Sequence, residues 1–257
     1  MTTESSAVGS PSVGHVAPAV QAAAPSVDDY TKSAEDYTKA VYALESQKGR
    51  PVSTKDLAER LGVPAPTAST TVKRLAENGL LEHERYRGVR LTEPGKRVAL
   101  DVVRRHRLVE TMLHLRLGLR WEEVHEEADR LEHELSDELA ARIFDELGQP
   151  EADPHGAPIP PKGAKGDDVE EIAGEPLRDL PAGTKGVLVR VVNLDPEMLV
   201  YLSEQGIGIK DSVEVIDHQP FGGSVLLQVD KRDTLVPIGR ELASLMRIKR
   251  HGSSRTR

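Results

Sequence analysis

The sequence predicts a mainly α-helical chain that ends in a small β domain. After a first helix, two short capped helices and a hairpin follow in the order that is typical of a winged helix-turn-helix. A long stretch with helical periodicity follows, and five short apolar runs bounded by turn residues come last. These three patterns predict an N-terminal winged helix-turn-helix, a helical middle region and a C-terminal small β-barrel.

Composition excludes several classes of protein. The chain has 257 residues, which favours two domains and a third small one, and 38% of them are hydrophobic, enough for packed cores. It has no cysteine, which excludes disulfides, thiolate nucleophiles and sulfur-ligated clusters. No apolar run approaches the roughly 20 residues that span a bilayer. The start carries no basic segment followed by an apolar one, so we expect no secretory signal and a cytoplasmic protein.

The first predicted helix follows a low-complexity tail. Residues 1–26 are mostly Ala, Ser, Val, Pro and Gly, which predicts disorder. Asp28 or Asp29 is the expected N-cap, and Gly49 precedes a proline that ends the helix. The apolar positions of this helix include Tyr37, Ala40, Val41 and Leu44.

The next three elements form the predicted reading unit. Ser53 is the expected cap of a short helix that Gly62 ends, and Gly79 closes a second helix over residues 66–78. Residues 80–84 and 89–92 then predict a hairpin, with Gly88 supplying the flexibility of its turn.

The rest of the chain divides by composition. Residues 94–147 read as helix with a break near 117–119, and 148–181 read as a Gly- and Pro-rich linker. The β-like runs are 186–192, 212–216, 224–229, 235–238 and 245–248, with a helix over 196–205. The predicted domains are therefore a tail (1–26), a winged helix-turn-helix (27–97), a helical domain (98–150), a linker (151–181), a β domain (182–251) and a second tail (252–257).

Charge is distributed unevenly along the chain. The net charge of −8 taken alone argues against nucleic-acid binding. Residues 50–107, however, hold 13 Lys and Arg against 7 Asp and Glu, whereas residues 108–150 hold 4 against 12. A basic segment beside an acidic one predicts a nucleic-acid-binding unit followed by a carboxylate-rich unit.

The basic segment predicts a DNA-binding surface. Short hydroxyl side chains at the start of the second helix allow close approach to a major groove, and basic side chains suit phosphates. A solvated helical face and an ordinary surface hairpin are the alternative, but order and charge together favour DNA. The candidate DNA-binding residues are Ser53, Pro66, Thr67, Ser69, Thr70, Lys73, Arg74, Arg85 and Arg87, with Arg90 also on the hairpin.

The acidic segment predicts a metal site. His125, Asp129, Glu132 and His133 stand at i, i+4, i+7 and i+8, which is one face of a helix. His106 forms an i, i+4 pair with Glu110 upstream. A stripe of only carboxylates and imidazoles is costly unless cations or water satisfy it, although a lone pair of this kind is usually a surface pair. The remaining histidines, expected to be structural or exposed, are His15, His83, His114, His155, His218 and His251.

Catalytic motifs are missing from the sequence. No HExxH motif, P-loop or candidate nucleophile occurs in it. A metal that senses rather than catalyses is the simpler interpretation, so we expect no enzyme. A dinuclear metallohydrolase remains the alternative from another class, because carboxylates and histidines also build such sites.

The motifs together resemble the diphtheria-toxin-repressor family of metal-dependent regulators, in particular its manganese-responsive branch. The resemblance runs from about Ser33 to Arg250, and the metal-ligand block is its most specific part. Its anchors are Glu35-Asp36-Tyr37, the helix from Pro66 to Val72, Tyr86-Arg87-Gly88, Arg105 to Leu108, the block from Glu123 to His133, and Asp153 to Pro160.

The resemblance implies two metal sites and an SH3-like (FeoA-like) C-terminal domain. The primary site would use Asp36, Asp129, Glu132 and His133. The ancillary site would use His106, Glu110 and His125, with Asp195 from the C-terminal domain. Met198 stands where relatives often carry an amide, and Lys39 stands where some manganese regulators carry a second carboxylate.

The resemblance also implies a function. It points to a homodimeric repressor that binds palindromic DNA operators and silences manganese-uptake genes when two Mn²⁺ ions per subunit are bound. Iron-responsive members have a Met and a Cys where this chain has Asp36 and Asp129, and oxygen ligands suit Mn²⁺. The alternatives are an Fe²⁺-dependent regulator of iron genes with the same fold and a winged-helix protein that answers to an organic ligand.

Overall fold

The computed structural model describes residues 31–84, 88–165, 169, 174–192, 195–230 and 234–252. Within these ranges the chain builds three hydrophobic cores, one for each predicted folded unit. The predicted tail over 1–26 lies outside the described residues. None of the described helices has the length and apolar character needed to cross a membrane.

The N-terminal unit has the predicted order of helices and hairpin. It contains α1 (Lys32–Lys48), α2 (Thr54–Leu61), α3 (Ala65–Glu77), β1 (Leu81–Glu84) and β2 (Gly88–Leu91). Ser53 caps α2 as predicted, and Asp56 completes a capping box with it. The cap of α1 is Thr31, whose side chain accepts from the Ala34 N–H, so the expectation that Asp28 or Asp29 caps this helix is wrong.

The wing is tied to the start of α2 by a backbone bridge. β1 and β2 pair antiparallel, and Val52 exchanges two backbone hydrogen bonds with Val89. Gly88 has a φ of +96°, and a Cβ there would lie 2.9 Å from the Val52 carbonyl oxygen. The turn therefore requires glycine for both its conformation and this close approach.

One long helix joins the N-terminal and middle units. The first half of α4 (Glu93–Leu117) packs into the N-terminal core through Val98, Leu100 and Val103. Its second half packs against α5 (Val124–Leu131) and α6 (Asp137–Glu146) through Leu108 and Leu113. The predicted domain boundary at 97/98 thus falls inside a continuous helix, and the predicted break after it is the left-handed Gly118.

The C-terminal unit is a six-stranded antiparallel sheet in the order β3-β8-β4-β5-β6-β7. Register shifts in the β4–β8 and β5–β6 pairings mark bulges, which bend strands around the core. The five predicted strands are present, and β3 is a sixth strand inside the predicted linker. The elements are β3 (Glu175–Pro176), β4 (Lys185–Val191), α7 (Pro196–Glu204), β5 (Ser212–His218), β6 (Val225–Val229), β7 (Leu235–Ile238), α8 (Arg240–Leu245) and β8 (Met246–Arg250).

The first part of the predicted linker is packed between the middle and C-terminal units. Arg104 donates to the Pro160 carbonyl at 2.7 Å, and the Val191 N–H of β4 donates to the His155 carbonyl at 3.0 Å. A Cβ on Gly156 would lie 2.0 Å from the Val189 carbonyl oxygen, so the segment touches the sheet backbone directly. This segment therefore fixes the C-terminal sheet against α4.

Candidate metal centre and nucleic-acid interface

The first cluster of candidate ligands joins α1 to the segment after α5. His133 Nε2 lies 2.9 Å from Asp36 Oδ1 and 3.3 Å from Glu132 Oε1. Glu132 is almost fully buried, whereas Asp36 is partly exposed. Ligand atoms of these three residues lie close enough together to hold one metal ion.

Two further residues hold His133 in place. Its Nδ1 hydrogen-bonds to Glu35 of α1, and the other Glu35 oxygen accepts from Arg105 of α4 at 2.6 Å. The carboxylate of Glu35 therefore orients the ring so that Nε2 faces Asp36. The sequence marked Glu35 and Arg105 only as parts of family motifs, because a buried supporting ion pair has no local pattern of its own.

The second cluster brings together the predicted ancillary residues on α4 and α5. His106 Nε2 lies 2.9 Å from Glu110 Oε1 and 3.0 Å from His125 Nδ1. His125 Nδ1 in turn lies 3.0 Å from the same Glu110 oxygen. The three side chains thus meet as one cluster, with Glu110 almost fully buried at its centre.

The predicted four-residue stripe is divided between these clusters. Helical spacing predicts that one face of a single helix carries His125, Asp129, Glu132 and His133. Instead, α5 ends at Leu131 and residues 132–134 form a 3₁₀ turn, which has three residues per turn rather than 3.6. Asp129 therefore lies beside His106 and His125, whereas His133 turns towards Asp36. Glu132 joins the two clusters, because its Oε1 lies 3.3 Å from His133 Nε2 and its Oε2 lies 2.5 Å from His106 Nδ1.

A third cluster lies where the sequence predicted a linker. Glu110, Asp153 and His155 are all buried, and their ligand atoms also lie close enough together to hold a metal ion. Asp153 Oδ1 accepts from the His155 and Ala157 N–H groups, which fixes the turn. The expectation that His155 lacks ligand-type neighbours is wrong, because chain packing rather than helical spacing brings them together.

The structure does not bring Asp195 to any of these clusters in the part of the chain that it describes. Asp195 is exposed and caps α7, where its side chain accepts from the Glu197 N–H at 2.9 Å. Met198 packs against the core of the C-terminal sheet. The carboxylate and imidazole that lie beside Glu110 come instead from Asp153 and His155, in the segment that follows α6.

The electrostatics of the clusters are strongly perturbed. Burial and the Lys39 charge lower the pKa of His106, but Glu110 and Glu132 outweigh them and raise it to about 9. Hydrogen bonds to Asp36 and Glu35, against burial, raise the pKa of His133 to about 9. Burial acts to raise the pKa of Glu110. The three histidines around this carboxylate, His106, His125 and His155, outweigh the burial and hold the pKa well below its usual range.

The donor atoms fit a hard divalent cation. The three clusters offer only carboxylate oxygens and imidazole nitrogens. The Glu35–His133 pair has the arrangement that is typical of a metal-binding histidine, whose second ring nitrogen is held by a carboxylate. The hydrogen bond to Glu35 positions the imidazole as a ligand.

The candidate DNA-binding side chains of α3 lie on its outer face. Ala68, Val72 and Leu75 form the buried face, and Thr67, Lys73 and Arg74 are exposed opposite them. Pro66 and Thr70 are exposed too, although the Thr70 hydroxyl donates to the Pro66 carbonyl at 3.0 Å. Ser69 is half-buried, Ser53 caps α2, and Arg90 is exposed on β2. Arg85 and Arg87 lie outside the described residues.

Family models match all three folded units. Residues 29–89 match the iron dependent repressor N-terminal DNA binding domain, and residues 92–161 match the iron dependent repressor metal binding and dimerisation domain. Residues 175–250 match the FeoA domain. The fold predicted from the sequence is confirmed by these matches.

Curated relatives and solved structures agree with the family models. The iron-dependent repressor IdeR of Mycobacterium tuberculosis is 33% identical over 219 residues, covering 82% of this chain and 94% of IdeR. The diphtheria toxin repressor of Corynebacterium diphtheriae is 31% identical over 216 residues, covering 81% and 93%. A manganese-dependent transcriptional repressor in complex with manganese has a TM-score of 0.78 and 39% identity, covering 85% of this chain and 100% of that one. The manganese regulator SloR has a TM-score of 0.69 and 29% identity, covering 86% and 100%.

Proposed function

The chain belongs to the diphtheria-toxin-repressor family of metal-dependent transcriptional repressors, and we propose that Mn²⁺ is the ion that activates it. Its domains are those of a DNA-binding repressor that self-associates, not of an enzyme. The observation that carries the choice of Mn²⁺ is the donor set of the Asp36–Glu132–His133 cluster, which contains oxygen and nitrogen but no sulfur.

Ligand chemistry supports manganese over softer ions. Carboxylate oxygens suit Mn²⁺, whereas thioether and thiolate sulfur favour softer metals. Asp129 adds a further carboxylate within 3.3 Å of His106 Nδ1. The 39% identical structure is named as a manganese-dependent repressor with manganese bound, which supports the same choice.

Fe²⁺ is the second candidate for the activating ion. The curated relatives at 31–33% identity are iron-dependent or diphtheria toxin repressors. Oxygen ligands alone do not make Mn²⁺ bind more tightly than Fe²⁺, because the intrinsic order of affinity runs the other way. Selectivity for Mn²⁺ would therefore depend on coordination geometry and on the free metal concentrations in the cytoplasm.

The two elements that carry the primary ligands explain how metal would control DNA binding. Asp36 lies on α1, which shares one core with α2 and α3, whereas Glu132 and His133 follow α5. A bound divalent cation would supply positive charge that neutralises these carboxylates. Asp36 and His133 would then hold α1, and with it α3, at a fixed angle to the middle unit.

A homodimer makes that angle matter for DNA. Two recognition helices fit the two halves of a palindromic operator only at the correct spacing. The match of residues 92–161 to a metal binding and dimerisation domain supports self-association through the helical unit. Four leucines of this unit are exposed, namely Leu115, Leu117, Leu131 and Leu139. The operators would control manganese-uptake genes, which need silencing when the metal is plentiful.

The second ion would bind around Glu110. His106 and His125 approach this carboxylate from one side, and Asp153 and His155 approach it from the other. The segment that carries Asp153 and His155 touches the sheet of the FeoA domain. Occupation of this site would therefore fasten the C-terminal unit to α4.

Anaerobic DNA binding tests the proposed function. The full chain is titrated separately with Mn²⁺, Fe²⁺ and Zn²⁺ in the presence of the DNA upstream of its own gene. We expect Mn²⁺ to induce tight binding and a chelator to reverse it. Unchanged binding after chelation would contradict metal control, and activation by Fe²⁺ alone would overturn the choice of Mn²⁺.

A further inference from the structure

Lys39 lies between the first two clusters of candidate ligands, although a protonated lysine cannot itself be a metal ligand. Its Nζ lies 2.9 Å from Asp129 Oδ1, 2.7 Å from Glu132 Oε2 and 3.0 Å from His106 Nδ1. These contacts join the first two clusters of candidate ligands. A protonated lysine has three N–H donors and no lone pair, so it contributes positive charge here and no coordination.

Lys39 reaches this position because of its place on α1. It follows Asp36 by three residues, so both side chains leave the same face of the helix. Asp36 contacts His133, and Lys39 contacts Asp129 and Glu132. These three partners belong to the middle unit. The ion pairs of Lys39 therefore join α1 of the DNA-binding unit to the metal-binding segment.

The burial of Glu132 makes this ion pair significant. The Glu132 side chain is 1% exposed and Lys39 is 19% exposed, so water screens the pair far less than a surface pair. A buried carboxylate without a cationic partner is strongly destabilising. Lys39 supplies such a partner, because both Glu132 oxygens lie within hydrogen-bond distance of its Nζ, and His106 Nδ1 also hydrogen-bonds to Glu132 Oε2.

We propose that Lys39 is an internal cation that competes with the activating metal for Asp129 and Glu132 and so sets the metal concentration at which the chain is activated. The inference rests on the proposed function, because it concerns the same ligands. An ion that takes the Asp129 and Glu132 oxygens must first displace the ammonium group. The work of breaking these ion pairs is subtracted from the intrinsic metal affinity, so activation is held to higher metal concentrations.

Direct metal binding tests the role of Lys39 without DNA. Mn²⁺ is titrated into the metal-free full chain, and the electron paramagnetic resonance signal of the unbound ion gives the dissociation constant. Lys39→Met removes the charge and keeps the length of the side chain. We expect it to bind Mn²⁺ about tenfold more tightly than the wild type, and Lys39→Arg, which keeps the charge, to bind like the wild type.

Two further variants make the test specific. Lys185→Met removes the same charge from an exposed pair with Glu214 in the C-terminal sheet, and we expect unchanged Mn²⁺ binding. Lys39→Gln keeps a hydrogen-bond donor without the charge, and it replaces Lys39→Met if that variant does not fold. A purely structural role for Lys39 would weaken Mn²⁺ binding in the uncharged variants, so unchanged or weaker binding overturns the inference.

The outcome of the Mn²⁺ titration with the Lys39 variants can be distinguished from the outcome of the DNA-binding test. Tighter Mn²⁺ binding by Lys39→Met supports the competition even if DNA binding ignores the metal, in which case only the proposed function fails. Metal-controlled DNA binding by the wild type with no tightening in Lys39→Met overturns the competition alone. If the wild type and the uncharged variants bind no Mn²⁺, both fail.

Discussion

Arg105 of α4 donates a hydrogen bond to Glu35 of α1 at 2.6 Å, in an ion pair whose side chains are 3% and 5% exposed. The second oxygen of Glu35 accepts from His133, a candidate metal ligand. One carboxylate thus joins the DNA-binding unit, the long shared helix and the metal-binding segment. Glu35 therefore supports a candidate metal ligand from within the DNA-binding unit.

Glu35→Gln should weaken Mn²⁺ binding about tenfold or more, because the residue that orients His133 loses its charge. Glu35→Ala should in addition destabilise the metal-free fold by roughly 3–5 kcal/mol, since the buried Arg105 guanidinium loses the carboxylate of this ion pair. Calorimetric titration and thermal unfolding measure the two effects. The exposed Glu59→Gln is the control, and Mn²⁺ affinity equal to the wild type in Glu35→Gln would refute the supporting role.

Asp129→Ala should abolish the metal response while leaving the fold intact, because the Asp129 side chain is half-exposed. The measurement is DNA binding as a function of Mn²⁺, together with circular dichroism as a test of folding. Glu126→Ala, on the same helix and more exposed, is the matched control. Normal activation of Asp129→Ala by Mn²⁺ would remove this residue from the metal site.

Metal binding should release protons and become tighter as the pH rises. The pKa values of His106 and His133 are raised from 6.5 to about 9, and a histidine must be neutral to bind metal. Affinity for Mn²⁺ should therefore increase from pH 6.5 to 8.5, by up to about tenfold per pH unit for each proton released. Calorimetry in buffers of different ionisation enthalpy counts these protons, and a zero count would contradict the prediction.

The same pKa shifts predict the stability of the metal-free protein. A folded-state pKa above the unfolded value means that the protonated histidine stabilises the fold. This stabilisation is complete below about pH 6.5 and is lost as the pH rises through about 9. The metal-free protein should therefore unfold at a lower temperature at pH 9 than at pH 7.

Trp121 should report occupation of the site around Glu110. It is the single tryptophan, its ring stacks on His155 with centroids 6.1 Å apart, and His155 Nε2 hydrogen-bonds to its carbonyl. Mn²⁺ should change its fluorescence, and Asp153→Ala should remove that change. Asp195→Ala, which alters only the exposed cap of α7, should leave the change in place. The reverse pattern would assign the second site to Asp195.

Lys73→Ala should weaken DNA binding similarly for all DNA sequences. Lys73 is exposed on the outer face of α3, where a phosphate contact releases counterions. The slope of log affinity against log salt concentration should become shallower by about 1. Lys185→Ala, on the C-terminal sheet, should leave the slope unchanged. A change of base preference in Lys73→Ala would instead indicate a base contact.

Local sequence patterns predicted the features that depend on interactions between residues close in sequence, namely helix ends and pairs on one helix face. Ser53 identified the start of α2, and the predicted break near 117–119 coincides with Gly118 at the end of α4, because caps act within a few residues. The i, i+4 pair of His106 and Glu110 correctly identified ligand-type residues that meet on α4. These features could be predicted from the order of residues alone.

The remaining parts of the candidate site depend on packing between distant segments. Asp153 and His155 lie in a Pro- and Gly-rich stretch without periodicity, so no sequence pattern pointed to Glu110 as their neighbour. The 3₁₀ turn at residues 132–134 changes the direction of the His133 side chain. A prediction that continues the α-helical period through this turn therefore places the His133 ring wrongly. In both cases the tertiary fold decides which ligand-type residues meet.

The continuity of α4 limits where the DNA-binding unit can be exchanged by protein engineering. Its first half completes the N-terminal core through Val98, Leu100 and Val103, and its second half carries His106 and Glu110. A DNA-binding unit cut at residue 97 would leave these three apolar side chains behind and expose its own interior. Specificity for a new operator cannot therefore be grafted at that boundary. A module that keeps the whole of α4 runs to its C-cap Gly118 and therefore includes His106 and Glu110.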